Sequence, residues 1–362
     1  MSACVVAARR TAVVPRGGAF AGLTLSDLAV PVVQACLADA GIAPAQVDEV
    51  VLSNALGGGG NVARLVSLAA GLPDRVAGLT IDRQCAGGLD AVLLARALID
   101  SGAAEVVVAG GVESYSRRPL RFRTDPAGGA AVEYDRPPFT PWADRDPDMH
   151  DAAAALADQL GITRAEQDAW AVQSHAKALR ADFAGEIVAL RGCDRDAFAR
   201  GLTIAVAGRA KVLAGSVTTA TTAVAADAAA FVVVVSEARA HGLRRARIAG
   251  GATRGGRPEA PGLAPLVAIA EVMQRAGLTP QDLQMAEVME AYAVQALACI
   301  RGMGIDPAVV NPGGGALARG HPIGASGAIL AVRLFHALQG GYGLAAIASA
   351  GGIGTALLLQ GG

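Results

Sequence analysis

The chain repeats itself at an offset of 236 positions: residues 37–44, LADAGIAP, are echoed by residues 273–280, MQRAGLTP. A duplicated chain of this kind must fold as two like halves, each built from the same order of elements. In both copies a glycine, Gly41 or Gly277, stands where a helix would stop, and a proline, Pro44 or Pro280, opens the next turn. A short apolar strand follows each, with residues 50–55 corresponding to residues 286–291. At the same offset Arg83-Gln84-Cys85-Ala86-Gly87-Gly88 falls on Arg319-Gly320-His321-Pro322-Ile323-Gly324, so a cysteine is matched by a histidine. Both precede helix-like stretches, 89–100 and 325–336, and a pseudo-twofold axis would bring them face to face. Further on, the strand and glycine pair of residues 106–111 resembles residues 345–352 at a slightly larger offset.

Strands alternating with helices at this spacing predict an α/β protein, with a mostly parallel sheet in each half covered by helices. Between the halves, residues 116–225 are richer in Arg, Asp and Pro and have no counterpart in the second copy. They read as an insertion, helical over 151–184 and loop-like over 125–148. The expected division is therefore 1–115 for the first half, 116–225 for the insertion, 226–245 for the last strand region of the first half and 246–362 for the second half.

Composition narrows the class of partner. Lys and Arg number 31 against 32 Asp and Glu, and no dense basic block is present, so nucleic acid is not an expected partner. Charged residues make up only 17% of the chain, which suggests surface lost to a homodimer or homotetramer interface. Cysteines 4, 36, 85, 193 and 299 form no CxxC pair, as expected of reduced thiols in a cytoplasmic protein. The first residues lack the basic-then-apolar order of a secretory signal. The longest apolar stretch, 223–235, is broken by Asp227 and is too short to span a bilayer, so no membrane association is expected.

Two positions carry chemistry. A thiol becomes nucleophilic where its thiolate is stabilised, and the start of a helix offers exposed N–H groups for that purpose, which is where Cys85 falls. Gly87 and Gly88 leave room beside the sulfur for a large substrate. The glycine-rich run of residues 311–327 surrounds a single imidazole, His321, suited to taking the thiol proton and returning it.

Residues 82–89, DRQCAGGL, and residues 320–327, GHPIGASG, resemble the two signature motifs of the thiolases, and the similarity extends over nearly the whole chain. Residues 109–114, 166–171 and 186–188 support it. The resemblance implies a duplicated five-layer αβαβα fold with an inserted loop domain that holds coenzyme A. It implies Cys85 as acyl acceptor, His321 as its activator, and an oxyanion held by backbone N–H groups of Cys85 and Gly352. Acyl-CoA and CoA would be substrates, with no permanently bound cofactor and no metal. Met149, Ala223, Met289, Ala291 and Tyr292 are the implied substrate contacts. The implied reaction is acyl transfer from CoA to Cys85, followed by thiolysis or Claisen condensation.

Two departures point to an alternative, a protein that forms or hydrolyses an acyl-enzyme with impaired condensation, or a non-catalytic subunit of a complex. Thiolases commonly supply a second cysteine as base before the C-terminal glycine run, and here Ala348 or Ser349 takes that place. An alcohol is a far weaker base than a thiolate. Met289 replaces the asparagine of the family's Asn-Glu-Ala-Phe element, and a thioether donates no hydrogen bond. Ala223 likewise replaces a serine beside the pantetheine region.

Overall fold

The computed structural model describes residues 2–362. The strands that form the main path of its large sheet are β1 Ala3–Thr11, β2 Glu49–Ser53, β3 Leu79–Ile81, β4 Val106–Ser114, β5 Ala226–Ser236, β6 Ala246–Gly255, β7 Leu283–Val288, β8 Tyr342–Ser349 and β9 Ile353–Gly361. Hydrogen bonding connects them in the order β7-β8-β9-β6-β1-β5-β4-β2-β3. Strands β4 and β5 are buried along their entire length, on both faces, which explains their near-continuous runs of Val and Ala. The main helices are α1 Leu25–Ala40, α2 Val62–Ala69, α3 Gly87–Asp100, α4 Met149–Leu160, α5 Arg164–Arg180, α6 Ala264–Ala276, α7 Ala293–Met303 and α8 Ile323–Ala337.

Three apolar clusters give the layering. The central one joins α3 and α8 to the inner faces of both halves of the sheet through residues such as Leu89, Val107, Val232, Leu330 and Leu357. The second packs α1 and α2 on the outer face of the first half, and the third packs α6 and α7 on the outer face of the second. The result is the expected helix–sheet–helix–sheet–helix stack. Each fully buried Val, Leu, Ile or Phe in these clusters contributes about 1.5–3 kcal/mol.

The repeat is visible in the local geometry. Gly41 and Gly277 both end their helices in the left-handed region, at φ 63° and 66°, and each closes onto carbonyls of the last turn. Strands β4 and β8 start at Val106 and Tyr342, so the 236-residue offset persists to this point. The glycine pairs are not equivalent. Gly110 and Gly111 lie inside β4, whereas Gly351 and Gly352 have φ of 78° and 75° in the turn after β8. The sheet is mixed: parallel pairing is found in β3/β2, β2/β4 and β7/β8, while β4/β5, β5/β1, β1/β6, β6/β9 and β9/β8 are antiparallel. Strands buried on both faces carry no alternation from which direction could be read.

Residues between β4 and β5 contain α4, α5 and two short hairpins. Helices α4 and α5 share the outer cluster of the second half, where Leu156 and Trp170 pack with residues of α7 such as Ala293 and Leu297. Strand β5 then returns to the first half between β1 and β4.

Helices α3 and α8 cross at backbone contact. A Cβ on Gly88 would lie 2.6 Å from the Ala328 nitrogen, and one on Gly327 would lie 2.4 Å from the Leu89 nitrogen. A Cβ on Gly87 would meet the Ser53 hydroxyl at 2.1 Å. The glycines after Cys85 therefore serve helix packing, which is a correction to their reading as room for substrate. This crossing sets the starts of the two helices beside each other.

Candidate active site

Strand β3 delivers the chain to a tight turn that carries Cys85. Asp82 accepts the Gln84 N–H at 2.8 Å, and Gln84 is held at φ 48°, a conformation unfavourable for a residue with a Cβ. Cys85 follows in a single 3-10 turn, Gln84–Ala86, that runs into α3. On the other side, Gly320 at φ 116° turns the chain into His321, whose N–H donates to the Val224 carbonyl at 2.7 Å.

The two side chains meet: Nε2 of His321 is 3.1 Å from Sγ of Cys85. The tautomer follows from the next contacts. The Ser326 hydroxyl donates to the Pro322 carbonyl at 3.0 Å, leaving its lone pairs for the Nδ1–H of His321 at 2.7 Å. With its proton on Nδ1, the imidazole turns a bare Nε2 toward the thiol.

Electrostatics set the resting state. Burial pushes the Cys85 thiol up to about 12, although its own N–H and that of Ala350 pull the other way. Burial pushes His321 down to about 4. The pair therefore rests as neutral thiol and neutral imidazole. The start of a helix does not by itself make Cys85 a thiolate, because desolvation outweighs it.

Two buried carboxylates hold these segments together. Glu113 accepts N–H groups of Ala55 at 2.9 Å, Gly324 at 3.1 Å and Leu56 at 3.3 Å, tying the first turn of α8 to the first half. Burial raises it to about 7. Glu290 accepts from Trp170 Nε1 at 3.0 Å, Ser174 Oγ at 2.7 Å and Asn311 Nδ2 at 2.8 Å, linking α5 to the glycine-rich run. For Glu113 the sequence signal is a charged residue near the end of an otherwise apolar strand; Glu290 falls two residues beyond the end of β7.

Cys85 and His321 open onto a cavity of about 270 Å³. Met149, Ala223, Ala291 and Tyr292 line it, as do Ala348, Ser349 and Ala350. Ser349 is committed elsewhere: its hydroxyl donates to the Arg83 carbonyl at 3.1 Å. Two expected contacts lie off this wall. Met289, 1% exposed, is buried in the central apolar cluster, where its thioether matches its surroundings. Gly352 stands behind the wall, its carbonyl accepting from Gly256 at 2.6 Å, and the N–H aimed at the sulfur is that of Ala350, two residues earlier. Tyr115, His150, Thr222 and Gln295 also line the cavity and were not singled out from the sequence.

Comparison with known proteins agrees with this architecture. The thiolase N-terminal domain matches residues 3–238 and the thiolase C-terminal domain residues 243–361. YhfS of Bacillus subtilis is 41% identical over 377 residues, covering 99% of each chain. The acetyl-CoA acetyltransferase of Cupriavidus necator is 39% identical, covering 98% of each. Among solved structures, the Acat5 thiolase of Ascaris suum in complex with coenzyme A superposes with a TM-score of 0.92 at 28% identity, covering 100% of both chains. By its sequence over both domains and by its fold, the chain belongs to the thiolase family.

Proposed function

We propose that the chain is an acyl-CoA acyltransferase in which Cys85 carries the acyl group. The observation that carries this reading is the 3.1 Å contact between Sγ of Cys85 and the unprotonated Nε2 of His321, at the wall of a cavity. As Sγ attacks the thioester carbonyl, its proton passes to Nε2, so no free thiolate need accumulate in the buried site. The N–H groups of Cys85 and Ala350 hold the developing oxyanion. Collapse expels CoA, which takes the proton from His321 and leaves an acyl-cysteine. Relatives named as acetyl-CoA acetyltransferase, and one solved with coenzyme A, support a CoA thioester as substrate.

Acyl-cysteine can be resolved by CoA in thiolysis or by a second acyl-CoA in Claisen condensation. Condensation needs a base for the α-proton. Ala348 offers none, Ser349 is bound to a carbonyl, and Met289 is buried. These observations favour a second reading of the same site, in which the acyl-enzyme forms readily and carbon–carbon chemistry is slow. Retention of the Cys85–His321 pair weighs against a purely non-catalytic subunit.

The same reading assigns residues 116–225 to holding CoA, with residues 1–115 and 226–245 as one half and 246–362 as the other. A homodimer or homotetramer is supported by β3, an edge strand that carries exposed Leu79, with exposed Leu65 and Leu68 on neighbouring α2. No helix among the described residues is long and apolar enough to cross a membrane. Five free cysteines support a cytoplasmic site.

The test compares CoA-dependent cleavage of acetoacetyl-CoA with simple hydrolysis of acetyl-CoA. Cleavage supports the full reaction. Hydrolysis alone supports the second reading, and neither activity overturns both.

A further inference from the structure

The cavity continues past Cys85 to a closed, apolar end. Strand β8 reaches the cavity wall at Ala348 and Ser349, and it packs against two turns: Gln84–Ala86, which carries Cys85, and Pro261–Leu263. Helices α4 and α7 also pack on the second turn. A Cβ added to Gly262 would lie 2.8 Å from Leu156 Cδ2 and 3.4 Å from Gln295 Cγ, so three segments meet there. Exposure grades along the lining: Phe139, Met149 and His150 are half-buried, whereas Ala153, Leu156 and Gln295 are 5%, 4% and 3% exposed.

This end suits an alkyl chain. Gln295 directs Nε2 to the Cys299 sulfur at 3.5 Å and its Oε1 is shut off from the surface, so it presents only methylenes to Gly262. Among the described residues no Asp, Glu, Lys or Arg lines the cavity, so a charged tail would find no counter-charge. An apolar cavity of about 150 Å³ accommodates a benzene ring. At about 270 Å³ this one far exceeds the two carbons of an acetyl group. The bulky, charged CoA portion belongs at the half-buried end beside Met149 and His150, which leaves the closed end to the acyl group.

Resting on the acyl-transfer reading above, we infer that the closed end holds the tail of a straight medium-chain acyl group, about six to eight carbons long, with Ala153, Leu156 and Gly262 as the specificity-determining residues. Leu156 and Gly262 stop the chain, and so set its upper length. Transfer itself is unchanged: the thioester bond to CoA breaks, the bond to Cys85 forms, and the thiol proton leaves on CoA through His321.

The test measures acylation of Cys85, as CoA released per enzyme, with acetyl-CoA, hexanoyl-CoA and dodecanoyl-CoA. All three carry the same CoA portion, so ratios of kcat/KM report the acyl end alone. Each buried methylene favours binding by about fourfold, and the wild-type value for hexanoyl-CoA should exceed that for acetyl-CoA by roughly tenfold or more. Dodecanoyl-CoA, too long for the closed end, should fall below hexanoyl-CoA. In Leu156→Trp and Gly262→Val the hexanoyl-to-acetyl ratio should fall toward one; two variants are used so that misfolding of either leaves a result, and the wild-type series stands without them. A wild-type ratio of one or less, dodecanoyl-CoA reacting as fast as hexanoyl-CoA, or variants that keep the wild-type ratio overturns the inference while leaving acyl transfer intact. No CoA release from any of the three overturns the acyl-transfer reading, and this inference with it.

Discussion

Ser326 Oγ accepts the Nδ1 proton of His321 at 2.7 Å while donating to the Pro322 carbonyl at 3.0 Å, one turn back in the same helix start. This chain of two hydrogen bonds decides which imidazole nitrogen faces Cys85. Ser326→Ala should therefore lower kcat for acylation by roughly tenfold or more with a smaller change in KM. Steady-state and single-turnover kinetics check this. An unchanged kcat would mean that the tautomer is set by something else.

A neutral resting pair has a pH signature. Cys85 is pushed up to about 12 and His321 down to about 4, both by burial. Alkylation of Cys85 by iodoacetamide should show no inflection near about 8.5, where an ordinary thiol titrates. Acylation should fall on the acid side, as pH drops toward the depressed folded value of His321 and Nε2 becomes unable to accept a proton. The stability contributed by neutral His321 is present above its unfolded value of about 6.5 and is lost as pH falls through about 4. Rapid alkylation in mild acid would indicate a thiolate–imidazolium pair instead.

The wall beside Cys85 predicts a gain of function. Placing a thiol at Ala348, which lines the cavity with Cys85 and His321, supplies the base that condensation lacks. Ala348→Cys should raise acetoacetyl-CoA cleavage by about 10²-fold. Met289→Asn buries an amide in an apolar cluster and should cost about 1–3 kcal/mol of stability, read from urea unfolding. Equal cleavage by wild type and Ala348→Cys would show that another group already serves as base.

Beneath the histidine segment, Glu186 bridges two buried arginines, 2.7 Å from Arg10 Nε and 2.6 Å from Arg333 Nη1. Asp196 holds the other face of Arg10 at 2.6 Å. Removing the shared carboxylate takes away the nearest counter-charge of Arg333 and leaves Arg10 with Asp196 alone, so Glu186→Ala should destabilise the fold by about 3–5 kcal/mol. An unchanged urea midpoint would contradict this.

The duplication was legible because helix stops and turns depend on few residue types: Gly41 and Gly277, and Pro44 and Pro280, mark the same joints in both halves. The match of Cys85 with His321 followed from that register alone. Strand direction was not legible, since strands such as β4 and β5 are buried on both faces and carry no alternation. Nor was the balance at Cys85, because sequence reveals the start of a helix but not the desolvation that outweighs it. Nor was the hydrogen bond of Ser349 legible, because its hydroxyl donates to the carbonyl of Arg83, which is distant in the chain. The cavity-lining residues His150, Thr222, Tyr292 and Gln295 come from three separate segments, and no local spacing announces them.

The most direct test of the account is intact-protein and peptide mass spectrometry after brief exposure to acetyl-CoA without an acceptor. An acetyl adduct confined to the peptide carrying Cys85, slowed in His321→Ala and absent in Cys85→Ala, is the predicted result. No adduct, or one located on another cysteine, would contradict the assignment of Cys85 as the acyl carrier.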